Sequence, residues 1–471
     1  MAGTYIEGSS KPLSGVYTLI KAALASVTMG SRGIVAYPFT ANWGPINSLE
    51  KVLQELEFKK KYNAAVTGFT ANKVDKLAFL GQPQKVLAFR MATSAAAKGT
   101  ATLNDAAATP VKSIELETLY PSDRAFVAVV KDGLATGAKR IEITEGGVLL
   151  MSVEDTALDG LVSKLNASEY VRVKSQGTTM PANTAGVSFA GGNNGSAVTA
   201  TEYSAFLTAV EVDRKAQAFA LDGVTDEAIL TVAETWVRRV RTEGLYITWV
   251  RGGVASWDSD LSLANTKSKA LNHRGIINVG NGVDGYTSAD MAIFGAARVA
   301  SVALNRTLTD EPVPFKSVNN KTVLVPGNRV VAKESGTLIF VMKGDAVVID
   351  EGVNTLTTPP AGEVASMRKI RVNNALDQIA TDLEAFGEEY KRDKSNTDEA
   401  RATYAATVEN NYLAGLQAMD VIKTGYFYEP DPQYHGAKAV YKPQIDEAFF
   451  WANVTPVDSM ERIYQKIGVS F

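Results

Sequence analysis

Between residues 216 and 304 the chain alternates unbroken apolar runs with segments of helical spacing, and this alternation limits the folds open to it. Residues 216–221, 245–250 and 275–279 are continuous β-prone runs. Between the first two, a segment opened near Thr225 and Asp226 repeats Ile229, Val232, Ala233, Trp236, Val237 and Val240 at helical spacing, and 291–304 is a second helical pattern. Strands without polar alternation have no face for water, so a parallel sheet covered by helices on both sides is expected. The same grammar appears upstream. Residues 33–37 form a buried-strand run ended by Pro38, 72–80 carry helical spacing through Val74, Leu77, Ala78 and Leu80, and 85–90 read as another strand.

Between these blocks the texture changes. Residues 95–109 are rich in Ala, Thr, Lys and Gly and precede Pro110, which marks a junction. Five β-type runs follow (113–119, 126–130, 140–144, 148–153 and 170–173), with one helical pattern at 155–165 and a Gly/Asn loop at 191–196. A compact, mostly β insertion is the expectation. After Thr358, Pro359 and Pro360, a single helical stripe runs through Val372, Ala375, Leu376, Ile379, Leu383 and Phe386, and a second helix is predicted over 398–419. A strand pattern lies around 445–454. Asp458 and Glu461 then have the N-cap and N3 spacing of a short helix.

The two ends read as extended. Residues 1–14 are polar and lead into a β-prone run in which Val16, Thr18 and Ile20 alternate with Tyr17 and Leu19. Two readings stand there: an arm, or a frayed terminus followed by an edge strand. Residues 466–471 alternate strictly, with Ile467, Val469 and Phe471 on one face, a pattern suited to pairing. Lys391, Arg392 and Lys394 follow the first helical stripe. They suit either a surface turn that compensates the helix dipole or a contact to an acidic partner.

Composition narrows the function classes. The 471 residues exceed the roughly 250–300 at which one core stops growing, so several domains are expected. A net charge of −3, from 48 basic and 51 acidic residues, does not indicate a generally basic nucleic-acid surface. Cys is absent, which removes disulfides, thiolate metal sites and Cys nucleophiles. The N-terminal residues lack signal-peptide character and apolar runs such as 338–342 fall short of a membrane span, so a soluble protein kept in the cytoplasm is expected. His273 and His435 are the two histidines, and neither sits in a zinc motif. Neither a phosphate-binding G-x-x-x-x-G-K-[ST] loop nor a G-x-S-x-G elbow is present. The carboxylate pairs Glu388–Glu389 and Asp446–Glu447 lie in polar patterns where a solvated face is the default. No catalytic constellation emerges and no cofactor is expected.

The run Gly15-Val16-Tyr17, then Arg32-Gly33-Ile34-Val35-Ala36 and Asn42-Trp43-Gly44-Pro45, resembles the start of contractile tail sheath proteins. Met367-Arg368-Lys369-Ile370-Arg371-Val372-Asn373 before a long helix, and Thr455-Pro456-Val457-Asp458-Ser459-Met460-Glu461-Arg462-Ile463-Tyr464 before a terminal β run, resemble their C-terminal domain. The set spans the chain in the right order. It is most similar to the shorter sheaths of phages, defective prophages and R-type bacteriocins of Gram-positive bacteria.

The resemblance implies a multidomain α/β and α+β fold. A subtilisin-like α/β domain would carry a β-sandwich insertion, followed by a C-terminal α+β domain, with extended N- and C-terminal arms. The implied division is an arm at 1–28, an α/β part at 29–95, the insertion at 96–200, the α/β domain at 201–358, a tube-facing domain at 359–462 and an arm strand at 463–471. The implied function is structural: a subunit that polymerises helically around an inner tube and contracts from a metastable extended state to drive the tube through a target envelope. Implied partners are other copies, the inner tail tube protein, and baseplate and tail terminator proteins, without direct nucleic-acid contact or membrane insertion. Assembly in the bacterial cytoplasm and residence in a virion tail or a released bacteriocin-like particle follow. The arm residues Val16, Tyr17, Thr18, Leu19, Ile20, Ile467, Val469 and Phe471 would add strands to neighbours, and Lys391, Arg392 and Lys394 would face the tube. Subtilisin-like topology need not bring its chemistry. Two other readings remain open: a serine hydrolase using His273 on the α/β domain, and a non-contractile lattice protein such as a surface layer.

Overall fold

The unbroken apolar runs come together as one seven-stranded sheet in the computed structural model, which describes residues 2–3, 16–17, 29–392 and 394–468. Its order is Thr337–Leu338, Ile276–Val279, Thr248–Arg251, Ala218–Phe219, Ile34–Phe39, Lys85–Arg90 and Leu49–Val52. All neighbours are parallel except the last, which runs against Lys85–Arg90. Successive residues of the central strand serve opposite cores. Val35, Tyr37 and Phe39 pack with Val74 and Leu77 of helix Ala71–Ala78 and with Met291 and Phe294 of helix Ser288–Ser301. Ile34 and Ala36 join Phe206 of helix Ala200–Asp213 and Ala233, Trp236 and Val237 of helix Glu227–Thr242. Every residue of Ile34–Phe39 is buried, which is why no polar alternation shows in the sequence.

The β insertion leaves this sheet after Arg90. Val171–Gln176, Lys112–Thr118 and Thr100–Asn104 make one antiparallel sheet; Val148–Asp155, Lys139–Glu145, Phe126–Asp132 and Thr184–Ser188 make another. Leu103, Ile114, Leu116 and Val171 from the first share a core with Phe126, Ala128, Val130, Ile141 and Ile143 from the second. Leu161 and Leu165 of helix Leu158–Asn166 complete it. The stretch expected as a junction, 95–109, is corrected here, because it contains the strand Thr100–Asn104. Ala101 and Leu103 point inward and Thr102 and Asn104 outward, too little apolar content to register as a strand.

One cation ties insertion to sheet. Arg90, the last residue of its strand, is fully buried and donates to the carbonyls of Ala41 (2.8 Å), Gly44 (2.7 Å) and Pro121 (3.0 Å) and to Asn194 Oδ1 (3.2 Å). Beside it Trp43 enters the insertion's core, with its ring 5.3 Å from those of Tyr120 and Phe126, and the Arg124 guanidinium lies 4.9 Å over it. Gly44 makes this turn possible. Its φ is +99°, and a Cβ there would lie 2.5 Å from the Tyr62 ring and 2.7 Å from the Lys61 carbonyl.

The chain divides into two compact units: Ser31–Asp377 together with the segment from Ser459, and Gln378–Asp458 together with the N-terminal residues to Gly30. Helix Ile370–Tyr390 contributes to both. In the smaller unit, helix Asp398–Thr407 passes through a π-helical turn, Val408–Leu413, into Ala414–Ala418, and an antiparallel pair joins Phe427–Pro430 to Phe450–Asn453. Tyr404 holds these together, its ring 4.5 Å from Tyr390, 5.9 Å from Tyr428 and 5.0 Å from Phe450. Buried Asp382 accepts from the Tyr412 hydroxyl (2.7 Å), Gln378 Nε2 (2.8 Å) and the Gly30 amide (3.2 Å).

One local expectation at the C-terminal end is corrected. No helix starts at Asp458, and residues 457–468 form neither helix nor strand. Glu461, instead of capping a helix, pairs with Lys369, a tertiary contact that outweighs local propensity. Lys466, Ile467 and Gly468 are not in a strand, and the rest of that alternating run lies outside the described residues.

The Arg90 arrangement makes a direct prediction. Arg90→Met removes the donor and leaves two buried and two half-buried acceptors without it, which should cost about 3 kcal/mol or more of unfolding free energy. Urea denaturation monitored by tryptophan fluorescence measures this. Wild-type stability in the variant would mean that Trp43 packing alone holds the junction.

Candidate functional site

In an open parallel sheet, chemistry gathers at the carboxyl ends of strands where the strand order reverses. Here that point lies between Ile34–Phe39 and Ala218–Phe219, because the chain builds outward from them in opposite directions. The side chains found there are Thr40, Thr70, Tyr203 and Asp222. Asp222 is buried and accepts from Thr70 Oγ1 and from the Tyr203 hydroxyl, both at 2.7 Å. Thr40 and Thr70 bond each other's amides through their hydroxyls, at 2.8 and 3.1 Å. Burial pushes the Asp222 carboxyl above its ordinary range, against the lowering effect of its two hydroxyl donors. Nearby, Lys73 Nζ meets Asp290 Oδ1 at 2.7 Å, while Asp290 also closes a capping box with Thr287. These groups saturate one another, and they fix loops rather than present a nucleophile beside a base.

His273 stands at the amino end of Ile276–Val279, the opposite edge of the sheet. A four-residue strand separates the two edges by about 13 Å. Its Nδ1 accepts from the Gly275 amide (3.1 Å), and its own amide donates to Thr355 Oγ1 (3.1 Å). Burial, reinforced by the charges of Arg241, Arg238 and Arg274, pulls the imidazole down to about 3. A triad histidine needs a carboxylate that stabilises its cation; three guanidiniums do the reverse. His435 is likewise an acceptor, taking the Phe449 amide on Nε2 at 2.9 Å, and pins a loop in the smaller unit.

The segments expected to be arms are described in part. Val16–Tyr17 pairs in parallel with Ala2–Gly3, and Thr18, Leu19 and Ile20 lie outside the described residues. At the other end Ile467 is exposed, as are Met460, Ile463 and Tyr464, while Val469 and Phe471 lie outside the described residues. The pair Phe427–Pro430 and Phe450–Asn453 is a two-stranded sheet with no third strand among the described residues. Lys391 and Arg392 follow directly on the long helix, with Lys391 Nζ 2.6 Å from Glu388 Oε1 on the exposed surface. Lys391 and Lys394 stand on the rim of a groove of about 380 Å³ lined by Tyr390, Tyr404, Tyr428 and Phe450. Sequence reasoning missed the contact between Lys369 and Glu461. Charged residues 92 positions apart leave no local signal.

No protein-family model matches the chain. Among curated proteins it is 22% identical to the uncharacterized protein YqbK of Bacillus subtilis over 503 residues, covering 99% of each. It is 24% identical over 257 residues to the tail sheath protein of Clostridium phage phiCD119, covering 50% of this chain and 67% of that one. Among solved structures, the sheath tail protein of Desulfitobacterium hafniense superposes with a TM-score of 0.69 at 22% identity, over 96% of this chain and 99% of that one. The sheath tail protein of Listeria innocua gives 0.68 at 20% identity, over 91% and 96%. The helical sheath of the anti-feeding prophage in its contracted state gives 0.56 at 11% identity, over 98% and 99%. The chain has the fold of these proteins along nearly its whole length.

The His273 environment predicts a pH dependence. The native state keeps the ring neutral down to about pH 3, whereas the unfolded chain protonates it near its ordinary 6.5. The stabilisation is complete above that value and falls with pH below it, by up to about 1.4 kcal/mol per unit, because the unfolded state then binds the extra proton. In urea titrations between pH 7 and 4.5, His273→Asn should flatten that slope. Parallel slopes for variant and wild type would refute the assignment.

Proposed function

We propose that this chain, which carries the fold of the tail sheath proteins, is itself the repeating subunit of a contractile sheath. The observation that carries the reading is the likeness in fold to sheath tail proteins over nine-tenths or more of the chain. The subunit polymerises helically through head-to-tail contacts that do not close, around an inner tube. Contraction takes the packed subunits from a metastable arrangement to a more stable one, so the free energy is stored during assembly. Its partners are further copies, the tube and the baseplate, in a phage tail or a related injection particle assembled in the cytoplasm. The parallel sheet covered on both faces supports the finer reading of a subtilisin-like domain, and the division into arms at 1–28 and 463–471 around the four intervening parts belongs to the same proposal. The hydrolase alternative has no observation in its favour, given the surroundings of His273 and Asp222.

The arms extend the proposal. Strands from Val16–Ile20 and from Ile467, Val469 and Phe471 would add to the two-stranded sheet of a neighbour. What supports this is physical: two strands alone are marginal, and an open edge offers main-chain bonds to an incoming strand. Deleting residues 466–471 should leave a folded monomer that no longer polymerises. Negative-stain images of the full chain should show tubes or cogwheel-like discs, and planar lattices would overturn the sheath reading. Normal tubes from the truncated chain would overturn the role of the C-terminal strand.

Lys391, Arg392 and Lys394 are proposed to grip acidic residues on the tube. Exposed ion pairs are individually weak and screened by salt, which suits a contact that must release along a whole tail. Reversing all three to Glu should leave self-assembly intact and abolish co-assembly of the extended form with the tube. Normal extended tails from the triple variant, at low and at physiological salt, would reduce the cluster to a helix terminus.

A further inference from the structure

The point at which the C-terminal segment leaves its unit is sharply defined. Arg371 Nη1 reaches Ser459 Oγ at 2.5 Å, and two residues later Glu461 is held by Lys369 and accepts from Thr307 Oγ1 at 3.2 Å. The Glu461 and Lys369 side chains are 12% and 20% exposed. Lys369 also meets Glu351 at 3.2 Å, and Glu351 in turn pairs with Lys333. Burial would lower the Lys369 ammonium, but Glu461 and Glu351 together hold it above its ordinary value, the behaviour of a cation kept charged by its partners. From residue 462 to 468 every side chain is exposed, Ile463, Tyr464 and Ile467 among them. Glu461 is therefore the last anchored residue before an exposed stretch rich in apolar groups.

We propose that Glu461 is a positioning residue, whose carboxylate, held by Lys369 and Thr307, sets the course along which the following segment is presented to a second copy. The inference rests on the sheath reading and adds to it the device that aims the arm. Leverage makes the anchor matter. Ile467 lies six residues beyond Glu461, about 20 Å if extended, so a swing of about 10° at the root displaces it by about 3.5 Å. The swing moves the tip across the strand direction, and that displacement is most of the about 4.8 Å between paired strands, enough to carry its main chain out of hydrogen-bond reach of the acceptor edge. Of the neighbouring cations, Arg329 is paired with Asp350 and Lys343 with Asp310, which leaves Lys369 as the cation that holds Glu461. The low exposure of the pair also limits screening by salt.

The chain contains no Cys, so labels can be placed at will. Nitroxides at Val330→Cys and Ile467→Cys, both exposed positions, report the course of the segment in the full-length monomer below its polymerising concentration. The wild-type background should give a narrow distance distribution, and Glu461→Gln a broad one, with an unchanged melting temperature. In unlabelled protein, Glu461→Gln should raise the critical concentration for polymerisation roughly tenfold, the effect of one lost charge-assisted hydrogen bond. Lys369→Met decides by the same two readouts if Glu461→Gln does not fold. A broad distribution in the wild-type background, an unchanged distribution in the variant, or a broadened one with normal assembly overturns the proposal. Lost assembly with a narrow distribution also overturns it, because Glu461 would then touch the neighbour directly. Failure of the sheath reading is seen separately, as unmodified protein that forms no tubes.

Discussion

A buried cation without a carboxylate holds the larger unit together. Arg90 sits where the parallel sheet hands the chain to the β insertion, and its acceptors come from three places: the loop after the central strand, Pro121 inside the insertion, and Asn194 where the insertion ends. Burial lowers the guanidinium to about 10, so it keeps its charge at neutral pH and makes charge-assisted bonds to oxygens that would otherwise be stranded. Lysine would not serve. Its point charge cannot reach acceptors spread around a planar fork, whereas arginine satisfies several segments at once. Trp43 adds the apolar half of the same joint, so the insertion shares a core residue with the loop that Arg90 fixes.

The parts of this fold that were legible in the sequence are those whose burial is one-dimensional. Strands Ile34–Phe39 and Lys85–Arg90 are covered on both faces and read as unbroken apolar runs, and helix Ile370–Tyr390 shows its stripe. Thr100–Asn104 and Thr184–Ser188 bury little and carry Thr, Ala, Gly and Ser, so they look like loops until partner strands are present. Helix Ala200–Asp213 is marked less by its apolar residues than by Thr199 and Glu202, whose spacing is a capping box. The same spacing at Asp458 and Glu461 is misleading, because there the carboxylate has a better partner in Lys369. A cap is a local contest, and tertiary contacts can win it.

The candidate sites were less legible, for a related reason. Asp222 acquires its meaning from Thr70, 152 residues away, and from Tyr203, 19 residues away on another element. Neither distance leaves a motif. His273 looked available as a base from its position before a strand, and its burial, reinforced by the three arginines around it, settles its protonation. The alternation at both ends was visible, yet alternation specifies a face, not the chain that will cover it.

On the sheath reading, the packing restricts which parts of the subunit can take part in a change of shape. A sheet whose strands are buried on both faces, continuous with helices such as Ser288–Ser301 that are buried along most of their length, resists gradual deformation, because close-packed cores transmit strain rather than absorb it. The insertion is fastened to that sheet by Arg90 and Trp43, so it follows as part of the same body. For the larger unit, contraction is then a rearrangement of contacts at its surface, with the free energy residing there and not in its interior. Exposed apolar side chains such as Ile463, Tyr464 and Ile467 are what such interfaces require, since covering them releases free energy only when a second copy arrives. A subunit built this way gains its work from where its neighbours sit, and its own core needs only to remain the same before and after.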